Sequence, residues 1–207
     1  MIDALLLDCE QTEGGLNILM KRPDLGSRLD VVNLYGLERT DLSGYRGLLI
    51  GLHADQRYLA GRRAQIEAYL ARGGTVVFCG HVSYPILPEL HPYRPIQNYR
   101  VEDLDVSRVC EHPVWAGVDT KDLTWRRGVA GFYGRGFNPP PQGATIIHGL
   151  GPDRHPVDFE CRPAAGGRLL VHAGADLWGY LEADSSAARI GPQLLDWLRA
   201  GIQGGRP

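Results

Sequence analysis

Apolar positions fall into short, nearly unbroken runs separated by amphipathic stretches. Residues 3–9 run Asp-Ala-Leu-Leu-Leu-Asp-Cys, which reads as a strand buried on both faces and ending in the polar group Asp8, Cys9, Glu10. Gly14 and Gly15 open a helix expected over residues 16–22, stopped by Pro23. A second strand is expected over residues 29–35, where Val31, Val32 and Leu34 supply β-branched and apolar character. Residues 47–51 (Gly-Leu-Leu-Ile-Gly) read as a third strand, and residues 62–72 as a helix with Ile66, Tyr69 and Leu70 at helical spacing. Gly73 and Gly74 end that helix, and residues 75–79 (Thr-Val-Val-Phe-Cys) form a fourth strand. Strands alternating with helices through short connections imply right-handed βαβ units and a parallel sheet.

The alternation breaks at residues 83–95, where Pro85, Pro88, Pro92 and Pro95 exclude regular structure and indicate a long loop or insertion. Shorter strand-like pieces follow at residues 101–109, 128–137, 145–150, 157–161 and 168–173, with turns at 139–141 and 149–156. An amphipathic helix over residues 192–202 turns Leu194, Leu195, Trp197 and Leu198 to the core. The expected organisation is one α/β domain over residues 1–202, with a proline-rich insert at 83–100 and a flexible tail at 203–207.

Composition narrows the function classes. Hydrophobic residues make up 43% of the 207 positions and charged residues 22%, enough to build a core. Lys and Arg number 22 against 24 Asp and Glu, a net charge of −2, so no nucleic-acid partner is expected. No apolar stretch approaches the roughly 20 residues of a transmembrane helix, and the N-terminus lacks a basic, signal-like start, so no membrane partner is expected. Cys9, Cys79, Cys110 and Cys161 form no CxxC pair, which disfavours a zinc knuckle or disulfide scaffold and fits a reducing, cytoplasmic setting. No HxH or HExxH spacing occurs, and neither a metal nor a cofactor is expected.

In an open parallel sheet, ligands collect at the carboxyl ends of the strands. The polar residues there are Asp8 and Glu10, His53 and Asp55, Cys79, Gly80 and His81, and Asp176 with Trp178. A thiol at a strand-to-loop junction becomes nucleophilic when its pKa is lowered and a histidine accepts its proton; otherwise it is a small buried hydrophobe. Both readings of Cys79 stand at this point. His91, His112, His148 and His155 read as structural or solvent-exposed, and Trp115, Trp125, Trp178 and Trp197 as packing anchors.

Residues 45–53 (Tyr-Arg-Gly-Leu-Leu-Ile-Gly-Leu-His) and 69–81 (Tyr-Leu-Ala-Arg-Gly-Gly-Thr-Val-Val-Phe-Cys-Gly-His) resemble the class I glutamine amidotransferase-like superfamily. Residues 112–117, 143–147 and 167–178 look more like its ThuA-like, non-standard branches. The resemblance spans about residues 2–200 and implies a flavodoxin-like three-layer α/β/α sandwich with a mostly parallel central sheet. It puts Cys79 in the place of the family nucleophile and His172 in that of the proton-transferring histidine. Backbone N–H groups of Gly51 and Leu52 would form the oxyanion hole. The chain departs from the pattern in two places. The Gly-x-Cys-x-Gly elbow reads Val77-Phe-Cys79-Gly80-His81, and the His-x-Glu motif reads His172-Ala-Gly174. A shifted register sets Gly174-Ala-Asp176 on the Gly-His-Asp of ThuA-like proteins and leaves only Asp176.

Two functions follow. One is a cysteine-dependent hydrolase or amidotransferase acting on a small amide or related carbonyl, with Cys79 and His172 catalytic. Glu10, Gly51, Leu52, His53, Gly80, His81 and Asp176 would then bind a small-molecule ligand. The other is an inactive family member serving as a binding or assembly module, with a protein partner or second copy meeting residues 83–95 and 128–141. Carbohydrate-related binding is a third reading, implied only by the ThuA-like resemblance.

Overall fold

A computed structural model describes residues 2–9, 22–181 and 184–201 of the chain. Glu10 and the helix expected over residues 16–22 lie outside the described residues except for Arg22, as does the expected tail.

The strands are β1 (Ala4–Asp8), β2 (Leu29–Asn33), β3 (Gly47–Ile50), β4 (Thr75–Cys79), β5 (Arg94–Pro95), β6 (Val106–Arg108), β7 (Trp125–Arg126), β8 (Val129–Ala130), β9 (Gly136–Phe137), β10 (Thr145–Leu150), β11 (His155–Cys161) and β12 (Arg168–His172). The helices are α1 (Pro23–Gly26), α2 (Gln56–Ala60), α3 (Arg63–Ala71), α4 (Thr120–Thr124) and α5 (Ile190–Ala200). Eight strands form the central sheet in the order β2-β1-β3-β4-β12-β11-β10-β6. The first five run parallel, and β11, β10 and β6 extend the sheet in antiparallel fashion.

Alternation along the strands builds two cores. Leu5, Leu7, Leu48, Ile50, Val76 and Phe78 point to one face, where they meet Leu59 of α2 and Ile66, Tyr69 and Leu70 of α3. Ala4, Leu6, Leu49, Val77, Cys79 and Leu170 point to the other, against Leu194, Leu195, Trp197 and Leu198 of α5. The result is a flavodoxin-like three-layer α/β/α sandwich with a mostly parallel central sheet.

Differences from the expected elements have local causes. β2 stops at Asn33 because its side chain accepts from the Tyr35 N–H (3.0 Å) and starts a 3₁₀ turn over Leu34–Arg39. The strand-like stretch at 101–109 divides into a 3₁₀ turn, Val101–Leu104, and the short edge strand β6. Residues 128–137 contribute only β8 and β9, each paired in a two-stranded ribbon. In one ribbon Arg127 (φ +49°) and Gly128 (φ +76°) form the two-residue tip between β7 and β8, the left-handed pair that such a tight hairpin needs. The proline-rich insert is anchored rather than loose. Ile86, Leu87 and Leu90 are buried in the α3-side core, and Arg63 donates to the carbonyls of Pro85 and Ile86 (both 2.9 Å). Val129 and Phe132, by contrast, remain exposed.

At the amino ends of the strands Asp3, 2% exposed as a side chain, accepts from Arg28 (2.6 Å) and from two nitrogens of Arg199 (both 2.9 Å). Burial opposes its ionisation, but the two guanidiniums prevail and hold the carboxyl below its ordinary range. Its stabilising contribution is therefore present above the unfolded carboxyl pKa of about 3.9 and is lost as pH falls below it. Asp3→Ala is expected to cost about 1–3 kcal/mol at neutral pH, because the largely buried Arg28 keeps only its ion pair with the exposed Asp196 (2.9 Å) while Arg199 is solvated. Urea unfolding of both proteins at pH 7 and pH 3 checks this, with the difference shrinking at the lower pH.

Candidate functional site

The carboxyl ends of β3, β4 and β12 lie side by side in the sheet. Pairing of β4 with β12 sets Cys79 opposite His172, and the Gly80 N–H donates to the His172 carbonyl (2.8 Å). The same register continues along the sheet. His172 stands opposite Asp158 on β11, Asp158 opposite His148 on β10, and His148 opposite Arg108 on β6. One row of polar side chains thus crosses five adjacent strands, from the sheet edge to its centre.

Asp158, His148 and His172 are all fully buried, as is Tyr133 at 1% exposure. Asp158 Oδ1 accepts from His172 Nδ1 (2.6 Å); Oδ2 accepts from His148 Nδ1 (2.8 Å) and from the Tyr133 hydroxyl (2.6 Å). Pairing of β10 with β11 shifts register on either side of His148, the kind of irregularity that re-aims a side chain. Arg108 Nε donates to His148 Nε2 (3.4 Å), so that nitrogen must accept and the His148 proton sits on Nδ1. Burial alone would raise the Asp158 pKa, yet His172 and His148 outweigh it and hold the carboxyl well below its ordinary value. The Tyr133 hydroxyl is driven well above its ordinary value by burial and by the Asp158 charge beside it.

His172 Nε2 is buried with no hydrogen-bond partner, so the thiol of Cys79 is not hydrogen-bonded to it. A Cβ on Gly174 would lie 2.6 Å from that nitrogen and 1.8 Å from the Tyr133 carbonyl oxygen, so the chain passes the imidazole only as glycine.

Cys79 itself is 0% exposed and ends a regular strand. Positive φ falls on the next residue, Gly80 (+117°). Burial pushes the thiol pKa well up, and the carboxylates of Asp176 and Asp158 push it further; the Leu177 backbone N–H works the other way. The Leu52 N–H, one half of the expected oxyanion hole, donates to Asp176 Oδ1 at 2.7 Å.

The crevice beyond these residues has a volume of about 600 Å³ and is lined by Leu52, His53, Gln56, Arg57, His81 and Tyr84, among others. Neither Cys79 nor His172 lines it. Gln56 holds its walls together: its amide donates to the His81 carbonyl (2.7 Å) and accepts from the N–H groups of Ser83 (2.8 Å) and Tyr84 (3.0 Å). Asn138, also buried, accepts from Val82 N (3.0 Å) and donates to the Gly80 carbonyl (2.8 Å), fixing the exit of β4. His81 stacks on Tyr93 with ring centroids 3.7 Å apart, and burial together with His172 lowers its pKa. His53 is exposed, and its carbonyl accepts from the Cys9 thiol (2.8 Å). Of the expected site residues, Gly51, Leu52, Cys79, Gly80, His172 and Asp176 are thus gathered around one point, while His53 and His81 sit on the outer wall.

Asp158, His148, Tyr133 and Arg108 were not singled out from sequence as a group. The available signal was a charged residue between Val157 and Phe159 in an apolar strand, with His148 and His172 in the apolar strands beside it. Among the described residues no cluster of His, Cys, Asp and Glu has the arrangement to hold a metal ion, and both histidines turn protonated Nδ1 atoms to Asp158. Nor is any helix among them long and apolar enough to cross a membrane.

No protein-family model matches the chain, and no curated protein matches it. Among solved structures it is similar to a candidate GMP synthase component from Thermoplasma acidophilum, with a TM-score of 0.58 at 9% identity, covering 97% of this chain and 95% of that one. A cold-adapted β-galactosidase from Rahnella sp. R3 aligns at TM-score 0.49 and 16% identity over 83% of this chain. Gan42B, a GH42 β-galactosidase from G. stearothermophilus, aligns at TM-score 0.48 and 13% identity over 96% of this chain. The chain spans only 25% and 30% of those two enzymes. At these identities the likeness is one of fold alone.

Asp158→Asn leaves the neighbouring donors facing an amide that can accept through only one atom, and is expected to cost about 3–5 kcal/mol at pH 7. Because the folded-state pKa is depressed, the carboxylate's contribution is complete above about pH 4 and declines below it as pH falls toward the folded value. Chemical denaturation from pH 7 to pH 2 should show the gap between wild type and variant narrowing only in that acid window.

Proposed function

We propose that this glutamine-amidotransferase-like domain works by binding a small molecule in the crevice beyond the carboxyl ends of β3 and β4, and that Cys79 is not a nucleophile. The observation that carries this reading is the Asp176 carboxylate on the Leu52 N–H. An oxyanion hole has to meet developing negative charge with unoccupied donors. Here a carboxylate already holds the donor and at the same time raises the pKa of the neighbouring thiol.

Two further features support the same reading. A family elbow strains the nucleophile's own backbone, whereas the strained position here is Gly80, which has no side chain to attack with. The imidazole of His172 is turned to Asp158 through Nδ1 and makes no bond to the thiol. The order of the motifs at residues 112–117, 143–147 and 167–178 remains the ground for setting the chain nearest the ThuA-like branch, which is part of this proposal.

Alkylation by iodoacetamide tests it directly. In the native protein the exposed Cys110 should react, and Cys79 should react roughly a hundredfold or more slowly, reaching comparable labelling only after unfolding. Glutamine and small-amide hydrolysis should be no greater for the wild type than for Cys79→Ala. Fast native labelling of Cys79, together with an amidase activity lost in Cys79→Ala, would overturn the reading.

A further inference from the structure

Asp176 occupies the N-cap position of the 3₁₀ turn Leu177–Gly179, yet its side chain makes no capping bond to that turn. Aspartate is among the best residues for such a cap. Instead the carboxylate reaches a residue 124 positions away in sequence and accepts the Leu52 N–H at 2.7 Å. The recess that receives it is shaped on two sides by glycine. A Cβ on Gly51 would lie 2.9 Å from each Asp176 oxygen, so any side chain there would press on the carboxylate. On the other side Gly80, at φ +117°, packs so closely that its Cβ would come within 2.8 Å of Leu52 Cα, which holds the donor peptide in place. The surroundings are only partly buried, since Gly51, Leu52 and Asp176 all keep some solvent exposure, and Leu52 also lines the crevice.

Resting on the binding-module reading and naming its ligand class, we propose that the recess at Gly51 and Leu52 is a receptor for the carboxylate of a small molecule, and that Asp176 is its internal occupant, displaced when the ligand binds. A tethered group competes at an effective concentration in the millimolar range or above. The wild-type site therefore answers best to ligands that add contacts in the crevice, where Arg57 lies against the Tyr84 ring (5.5 Å) and His81 against Tyr93, whereas a bare carboxylate competes only at high concentration. Removing the tethered group exposes the donor to small anions of the right shape.

The test uses Asp176→Ala with formate and acetate as probes and chloride at matched ionic strength as the control. Formate and acetate should raise the thermal midpoint of the variant in the roughly 10–100 mM range expected of a contact with few hydrogen bonds. Chloride should not, and the wild type should respond at least tenfold more weakly. Asp176→Asn should behave as the wild type, since its amide oxygen still accepts from Leu52. A response of Asp176→Ala that is the same for formate and chloride overturns the proposal. If the alanine variant does not fold, the Leu52 amide resonance of the ¹⁵N-labelled wild type is followed as acetate is raised to about 1 M, the range in which a free carboxylate competes with a tether that weakens its binding about tenfold. A saturable shift supports displacement of Asp176, and a stationary resonance overturns it. Iodoacetamide labelling of the same samples separates the two claims: rapid reaction of Cys79 defeats the binding-module reading whatever the anions do, and a missing anion response with a silent thiol defeats only the receptor.

Discussion

A carboxylate with no exposure to water sits in the antiparallel half of the sheet, and much of the architecture on that side is arranged to tolerate it. Left alone, the Asp158 charge would be expensive to bury. Its donors come from β10, from β12 and from the segment between β8 and β9, so satisfying one side chain ties three parts of the chain together. Sliding β11 by one residue would put Asp158 on the opposite face, among Phe159's neighbours, and leave two imidazoles and a phenol without an acceptor. Hydrophobic packing selects a sandwich; this carboxylate selects the register. Arg108 extends the constraint to the sheet edge, because its bond to His148 settles which nitrogen of that ring carries the proton.

The same carboxylate bears on the candidate site from a distance. Cys79 and His172 stand side by side, as they would in a thiol enzyme, but the electrostatics run against thiolate formation. Burial, Asp176 and Asp158 all raise the pKa of the sulfur, and the Leu177 backbone N–H only partly opposes them. His172 cannot serve Asp158 through Nδ1 and also aim Nε2 freely, since Gly174 and the Tyr133 carbonyl close over that edge of the ring.

What could be read from sequence follows how local the determining forces are. The parallel core was legible because strands buried on both faces are short apolar runs: residues 75–79 are β4 to the residue, and residues 47–51 exceed β3 by only Gly51. The late helix was legible from its apolar stripe, although it begins two residues earlier, at Ile190, with Pro192 in the first turn where its missing N–H does no harm. Residues 101–137 were not, since their order comes from side-chain bonds between distant positions, such as Thr124 to the Val106 N–H or Tyr133 to Asp158. At the site, strand-end residues could be located, and Gly51, Leu52, Cys79, Gly80, His172 and Asp176 do converge. The partner of His172 was sought two residues along the chain, where Gly174 stands; it lies on the next strand, a relation created by pairing and invisible to spacing.

The position of β12 carries a consequence for how the chain reaches this structure. It lies between β4 and β11, so the strand that completes the middle of the sheet is the last in sequence among the described residues. Until residues 168–172 are in place, β4 and β11 each present an unpaired edge, and the two halves of the sheet are held together only by loops. Contacts spanning more than ninety residues, such as Thr75 with Arg168, must form late and against a large loop-closure entropy. During synthesis on the ribosome the apolar β4 edge is thus exposed while the residues between β4 and β12 are being made, which makes its pairing with β12 the step at which folding and aggregation compete.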